Sequence, residues 1–227
     1  AATAAHPAYT ARFAGDLVRP GLRIPLTADA SLFAEAVELG RQLIWLQTYG
    51  ERCADPAAGR PSGAPRLQGS EAPSIPRAGR ISGEPDEFPD RLEYEPATRR
   101  LLIGGGFVQH VEPAVWAYTV SGKQVVKQWF SYRRKSRERP LIGDRRPPSP
   151  LGNIQPERWP HEYTNDLIDL LHVLTLVVQL EPQQADLLAR LCAGPLVTAA
   201  EVEAAIGLDR PAATGRRHDP DQTSMLD

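Results

Sequence analysis

The sequence predicts an α+β fold: a small, mainly antiparallel sheet region followed by a C-terminal helical bundle, with an N-terminal helix ahead of both. Three observations predict it. Short β-type runs crowd into 91–120, apolar residues recur at helical spacing over 32–47, and a long apolar helical stretch fills 167–180. Strands and helices fall in separate blocks, which favours segregated packing over a parallel βαβ sheet.

Residues 1–52 read as a docking segment carrying one helix. Pro20 and Pro25 hold VRPGLRIPLT extended. Asp29 or Ser31 can cap a helix running to about Tyr49, where Leu32, Phe33, Ala36, Val37, Leu39, Leu43, Ile44 and Leu46 form a wide apolar stripe. Gly50 suits its C-terminal stop. Residues 53–90 are rich in Pro, Gly, Ala and Ser and poor in large apolar residues. Such a stretch cannot bury enough surface to fold alone, so it is expected to be a surface segment, ordered where it lies on a neighbour.

Residues 91–158 form the expected β-rich part with a basic helix and loop. RLEYE and RRLLIG make a hairpin about Pro96–Thr98, Gly104–Gly106 punctuates, and FVQHV is a further short strand. VWAYTV reads as another strand, closed by Ser121–Gly122. KQVVKQWFSYRRK then reads as a helix with Val125, Val126, Trp129 and Phe130 on its apolar face, Trp129 buried against the sheet. Residues 136–160 are a Pro-rich basic loop. Residues 159–208 are the helical bundle: Thr164 caps a mostly buried helix, Pro182 starts a second, and Thr198-x-x-Glu201 opens a third as a capping box. Residues 209–227 read as a disordered tail.

Composition narrows the function. The 227 residues carry a net charge of −2, so bulk electrostatics does not make the chain a nucleic-acid binder. Charge is nevertheless segregated. Lys123 to Arg146 holds nine Lys or Arg against Glu138 and Asp144, while Pro160 to Ile206 holds seven acids against Arg190. Taken alone, such a run is more often a solvated helix end and surface loop. Cys53 and Cys192 stand far apart, which argues against a zinc site or a disulfide scaffold and fits a reducing cytoplasm. No apolar run approaches the ~20 residues of a membrane helix. The first residues lack an initiator Met and the features of a signal peptide, so the chain is expected to be a piece of a longer protein.

Catalytic motifs are missing. The strand before Gly104–Gly106 is not followed by a helix, so a turn is the better reading than a phosphate loop. No G-x-x-x-x-G-K-[ST], no G-x-S-x-G elbow and no Asn/Asp-Pro-Pro-Tyr/Phe tetrapeptide occurs. The five histidines are scattered away from metal-ligand spacing, and His172, inside the apolar helix, reads as a hydrogen-bonded core residue. Trp116 and Trp159 read as core anchors. No catalytic residue, metal ligand or cofactor is expected in this chain.

Two stretches carry a resemblance. VWAYTVSGKQVVKQWFSYRRK (115–135) resembles the target-recognition domains of large bacterial DNA methyltransferases. WPHEYTNDLIDLLHVLTLVVQLEPQQADLLARLCAGPLVT (159–198) resembles the helical end of the type ISP restriction–modification family, and residues 6–52 are similar to the segment that precedes it. In that family one polypeptide joins an adenine-N6 methyltransferase core to a C-terminal specificity domain. The resemblance implies that this chain chooses a DNA sequence and that S-adenosylmethionine is bound upstream. It implies two partners, double-stranded DNA and the methyltransferase domain of the same parent chain. Gly122, Trp129 and Arg133 match the shared pattern, which is architectural.

Charge clustering supplies the DNA-binding candidates: Lys123, Lys127, Arg133, Arg134, Lys135, Arg137, Arg139, Arg145 and Arg146. Lys and Arg neutralise phosphates, and Arg forks suit guanine edges, so the 136–149 loop is the first candidate for reading bases. Failing that, the reader is expected in 104–112 or 53–90. The alternative function is a coupling module that docks on the parent enzyme's other domains with little DNA contact.

Overall fold

The computed structural model describes residues 1–19, 24–135 and 156–206. Its architecture is α+β. The described elements run α1 (Pro7–Arg12), α2 (Ala14–Leu17), α3 (Ala30–Gln47), β1 (Leu92–Glu95), β2 (Arg100–Ile103), β3 (Gly106–Val108), α4 (Pro113–Ala117), β4 (Thr119–Val120), β5 (Lys123–Gln124), α5 (Val125–Ser131), α6 (His161–Ala193) and α7 (Ala199–Ala205).

Among its described residues the N-terminal segment holds three helices where the sequence predicts one. α1 starts at His6, whose Nδ1 accepts the Ala8 N–H at 3.0 Å, with Pro7 at the first helical position. Helices this short carry too little periodicity to be seen as a pattern. The expected helix is α3. Asp29 caps it, accepting the N–H groups of Ser31 and Leu32 at 2.8 and 3.1 Å. The Ser31 hydroxyl, together with these backbone groups, holds the Asp29 carboxyl below its usual range. The chain leaves α3 through Tyr49 and Gly50 at positive φ. A Cβ on Gly50 would lie 2.0 Å from the Gly63 carbonyl oxygen, so this exit needs glycine.

Residues 53–90 carry three single 3-10 turns, Pro56–Ala58, Arg77–Gly79 and Pro85–Glu87. Their few large apolar groups are used: Ile81 and Phe88 are buried against the sheet core. Arg60 is only 5% exposed, held by Glu38 of α3, by Asp55 and by the Cys53 carbonyl.

β1, β2 and β3 form an antiparallel meander with Leu92 opposite Ile103 and Leu101 opposite Val108. The inward positions Leu101, Ile103 and Val108 are fully buried. The β2–β3 connection is a two-residue turn with positive φ at Gly104 alone, as a type II′ turn asks. It is therefore a hairpin turn, as the sequence indicates.

The stretch VWAYTV departs from the expected strand. Pro113 at the first helical position opens α4, which buries Val115, and only Thr119 and Val120 are extended. They pair with Lys123 and Gln124 across Ser121–Gly122, both at positive φ, a type I′ hairpin. The basic helix α5 accordingly begins at Val125, two residues later than the sequence pattern predicts, and closes at Ser131.

α6 departs from expectation in two ways. It starts at His161 after Pro160, and Thr164 lies inside it, its hydroxyl accepting from Trp159 Nε1 at 2.9 Å. It also runs without a break through Pro182, which was expected to start a second helix. A proline there costs about 3 kcal/mol of helix propensity, but packing on both sides outweighs it. Leu180, Gln184, Leu187 and Leu188 are all buried. α6 is 33 residues, roughly 50 Å, and it joins two cores. Its first half packs Leu167, Leu171 and Leu174 against the sheet, α4 and α5. Its second half packs Val177, Leu180, Leu187 and Leu191 against Leu32, Leu39, Leu43 and Leu46 of α3. His172 sits where these cores meet, its Nδ1 accepting the Leu67 N–H at 3.0 Å, and burial lowers its pKa. α7 opens on the expected capping box between Thr198 and Glu201.

Candidate nucleic-acid interface

The basic band is built on α5. Val126 and Phe130 turn into the core, and Trp129 is half-buried beside Trp159, ring centroids 6.3 Å apart. Trp129 is thus a core-edge residue, less buried than its sequence position suggests. Trp159 is 4% exposed, and Trp116 stacks on Tyr94 at 5.4 Å, so both serve packing.

The five described cations of the band do different things. Lys123 is exposed on β5. Lys127 lies with Nζ 5.0 Å from the Trp116 ring centroid, a cation–π contact that still leaves the residue exposed. Arg134 and Lys135 are exposed beyond the end of α5. Lys135 is fixed to the 85–89 segment, its N–H donating to the Pro89 carbonyl at 2.9 Å and its Nζ to the Pro85 carbonyl at 3.3 Å.

Arg133 is turned inward. Its side chain is 27% exposed, its guanidinium lies 4.5 Å from the Trp129 centroid and 5.3 Å from that of Tyr163, and Asp166 of α6 is 3.6 Å away. Its Nη1 donates to the Trp129 carbonyl at 3.3 Å. A planar guanidinium can stack and bond at its edge at once, so this arginine ties α5 to α6. Arg137, Arg139, Arg145 and Arg146 lie outside the described residues.

The acids of α6 are partly spent on such ties. Asp169 pairs with Arg66, and Asp166 faces Arg133. Arg190 meets Glu35 of α3 through both terminal nitrogens at 2.6–2.7 Å. Elsewhere Arg99 bridges Glu71 and Glu112 at 2.6 and 2.5 Å, which holds the Glu71 carboxyl below its usual range.

Two recesses flank the band. One, of about 330 Å³, lies between α5 and β1 and is lined by Lys127, Phe130, Arg134, Asp90, Arg91 and Glu93 among others. The other, of about 570 Å³, is lined by Arg80, Ser82, Asp86, Glu87, Phe88, the Gly104–Gly105 turn and Lys135. Asp90 lines both, so they adjoin. The basic helix and the 80–93 segment therefore face a common surface. Sequence reasoning did not single out Arg80, Arg91, Asp86 or Glu87. The available signal was the dense alternation of charge in EPDEFPDR around one buried aromatic, Phe88.

This surface is carried by a small sheet and a helix pair. The chain belongs to the family of type ISP C-terminal specificity domains, whose family model matches residues 1–170. That family is the target-recognition part of restriction–modification enzymes. No curated protein and no solved structure matches the chain. No helix among the described residues is long and apolar enough to cross a membrane.

Proposed function

We propose that the chain is the sequence-specific DNA recognition module of a cytoplasmic DNA adenine-N6 methyltransferase of the restriction–modification type. In this reading it holds the duplex so that a methyltransferase domain of the same parent chain can extrude and methylate one adenine. S-adenosylmethionine is bound by that other domain, and this chain is no enzyme by itself. The observation that carries the reading is the cluster of exposed cations Lys127, Arg134 and Lys135 along and just past α5, beside two adjoining recesses lined by further charged residues. Phosphate contacts from this band set register, and loops next to it read bases. Arg137, Arg139, Arg145 and Arg146 belong to this proposal as the Arg-rich continuation of the band.

The test is salt-dependent binding of the chain to a mixed-sequence duplex. Log affinity should fall linearly with log salt, by about 0.9 per phosphate neutralised. Changing Lys127, Arg134 and Lys135 together to Glu should weaken binding at low salt and shrink that slope by about 2–3. A folded triple variant with unchanged affinity and slope overturns the role of the band.

A second reading, coupling to the parent enzyme's other domains, draws on a different observation. Val18 is 81% exposed, and Ile24, Leu26 and Phe33 are also exposed, the last three lining an apolar groove of about 350 Å³ beside α3. Such a face suits protein contact. A chain that binds no duplex yet associates with the parent's methyltransferase domain, and loses this on Phe33→Asp, would favour coupling as its main task.

A further inference from the structure

The proposed function leaves open which part of the chain distinguishes one sequence from another. Resting on that DNA-binding reading, we infer that the recess between the 80–90 segment and the Gly104–Gly105 turn is a base-reading site for duplex DNA, with Arg80, Asp86 and Glu87 as its readers.

The chemistry of the rim distinguishes it from a phosphate site. Phosphates call for donors and positive charge alone. Base edges in the major groove present both kinds of group: acceptors on guanine, an amino donor on cytosine, and one of each on adenine. The recess offers Arg80 and Lys135 as donors and Asp86 and Glu87 as acceptors, with Ser82 able to act as either. Carboxylates on a purely phosphate-binding surface would repel the backbone. Placed at a groove edge, they accept from cytosine or adenine amino groups.

These groups are also available. Arg60, Arg66, Arg99 and Arg190 each pair with a carboxylate. Arg80, with two carboxylates lining the same recess, is exposed and forms no ion pair with another described residue. Asp86 and Glu87 are exposed as well.

One glycine of the turn opposite has no reason in the fold itself. Gly104 needs its positive φ, and its Cβ would press on Pro89 at 3.2–3.3 Å. Gly106 packs on the backbone of Gly79 and Arg80, where a Cβ would come within 2.7 Å. Gly105 has neither constraint: its φ is outside the left-handed region, and a Cβ there meets nothing within 4 Å. Gly105 lines the recess, so a large side chain there would crowd it, and glycine leaves room for another molecule's close approach. Lys135, bonded to the Pro85 and Pro89 carbonyls, fixes the rim to the end of the basic band. A duplex whose phosphates lie on the band is thereby placed against the recess.

The test is selection of preferred sites from a random duplex library by the whole chain, followed by affinity measurements on the selected and a scrambled duplex. Compared with the wild type are the triple change Arg80→Ala, Asp86→Asn, Glu87→Gln, and separately Gly105→Phe, which should fold normally because the position is open. Both should keep the wild-type salt slope and lose preference on the order of 10- to 100-fold at one or two base positions. Selection of the same motif with the same discrimination by both variants overturns the reading site while leaving DNA binding intact. Failure of the wild type to bind any duplex overturns the DNA-binding reading and this site with it.

Discussion

The guanidinium of Arg133 lies 4.5 Å from the ring centroid of Trp129, one turn earlier in the same basic segment. The strongest cationic cluster of the sequence therefore contains an arginine that faces the protein. Arg133→Ala should cost about 1–2 kcal/mol, from the lost cation–π contact and the partly exposed pairing with Asp166. Arg133→Lys should recover little, since an ammonium cannot both stack and bond the Trp129 carbonyl in this geometry. Urea denaturation of both variants checks this. Wild-type stability for Arg133→Ala would return the residue to the solvent-facing band.

Pro182 leaves an interior helix position without an N–H donor. Pro182→Ala should raise stability by about 1–3 kcal/mol by restoring that bond and helix propensity. A lower midpoint in chemical denaturation would mean that the packing of Leu180 and Leu187 depends on the proline's local geometry.

His172 gives the stability a pH dependence. Burial lowers its pKa in the folded chain below the ordinary value of 6.5. The unfolded chain then takes up the proton first as pH falls, so stability present above about pH 6.5 is lost progressively on acidification through the folded value. His172→Gln keeps an acceptor for the Leu67 N–H but cannot titrate. Denaturation midpoints measured from pH 7.5 to 5 should fall less steeply for the variant; parallel curves would remove His172 as the cause.

Two glycines at positive φ should respond unequally to alanine. Gly50→Ala meets the Gly63 carbonyl at 2.0 Å and should cost about 2–5 kcal/mol. Gly59→Ala has open space and should cost only the left-handed strain of about 1–2 kcal/mol. Thermal melts that rank them in the opposite order would show that residues 50–63 rearrange freely around α3.

Much of this fold was legible where one local signal acted alone. Asp29, the Thr198–Glu201 box and the Gly104 turn each have a side chain or backbone preference that decides the geometry within four residues. The misread elements are those where distant packing decides. VWAYTV has strand composition, yet Pro113 and the buried Val115 place its first half in a helical turn against α6. Pro182 reads as a helix start, yet the core shared with α3 packs the helix on both sides of it, at Leu180 and Leu187. For the interface, clustered charge located the band but gave no sign of which arginine points inward. Arg133 and Arg134 are neighbours in sequence and differ only in which side of the helix end meets Trp129 and Tyr163. The recess was less legible still, since Arg80 and Gly105 come together through the pairing of loops distant from each other in the chain.

The pairing of α3 with the far half of α6 has a consequence for biosynthesis. Leu32, Leu39, Leu43 and Leu46 find their partners at Val177 and beyond, more than a hundred residues downstream. At about 5–20 residues per second, the ribosome exposes this apolar stripe for roughly 7–30 s before its cover emerges. During that interval the stripe lacks its native cover, and transiently exposed apolar surface of this kind is prone to aggregate. Synthesis slowed between codons 50 and 170 should therefore lower soluble yield more than an equal slowing after residue 195.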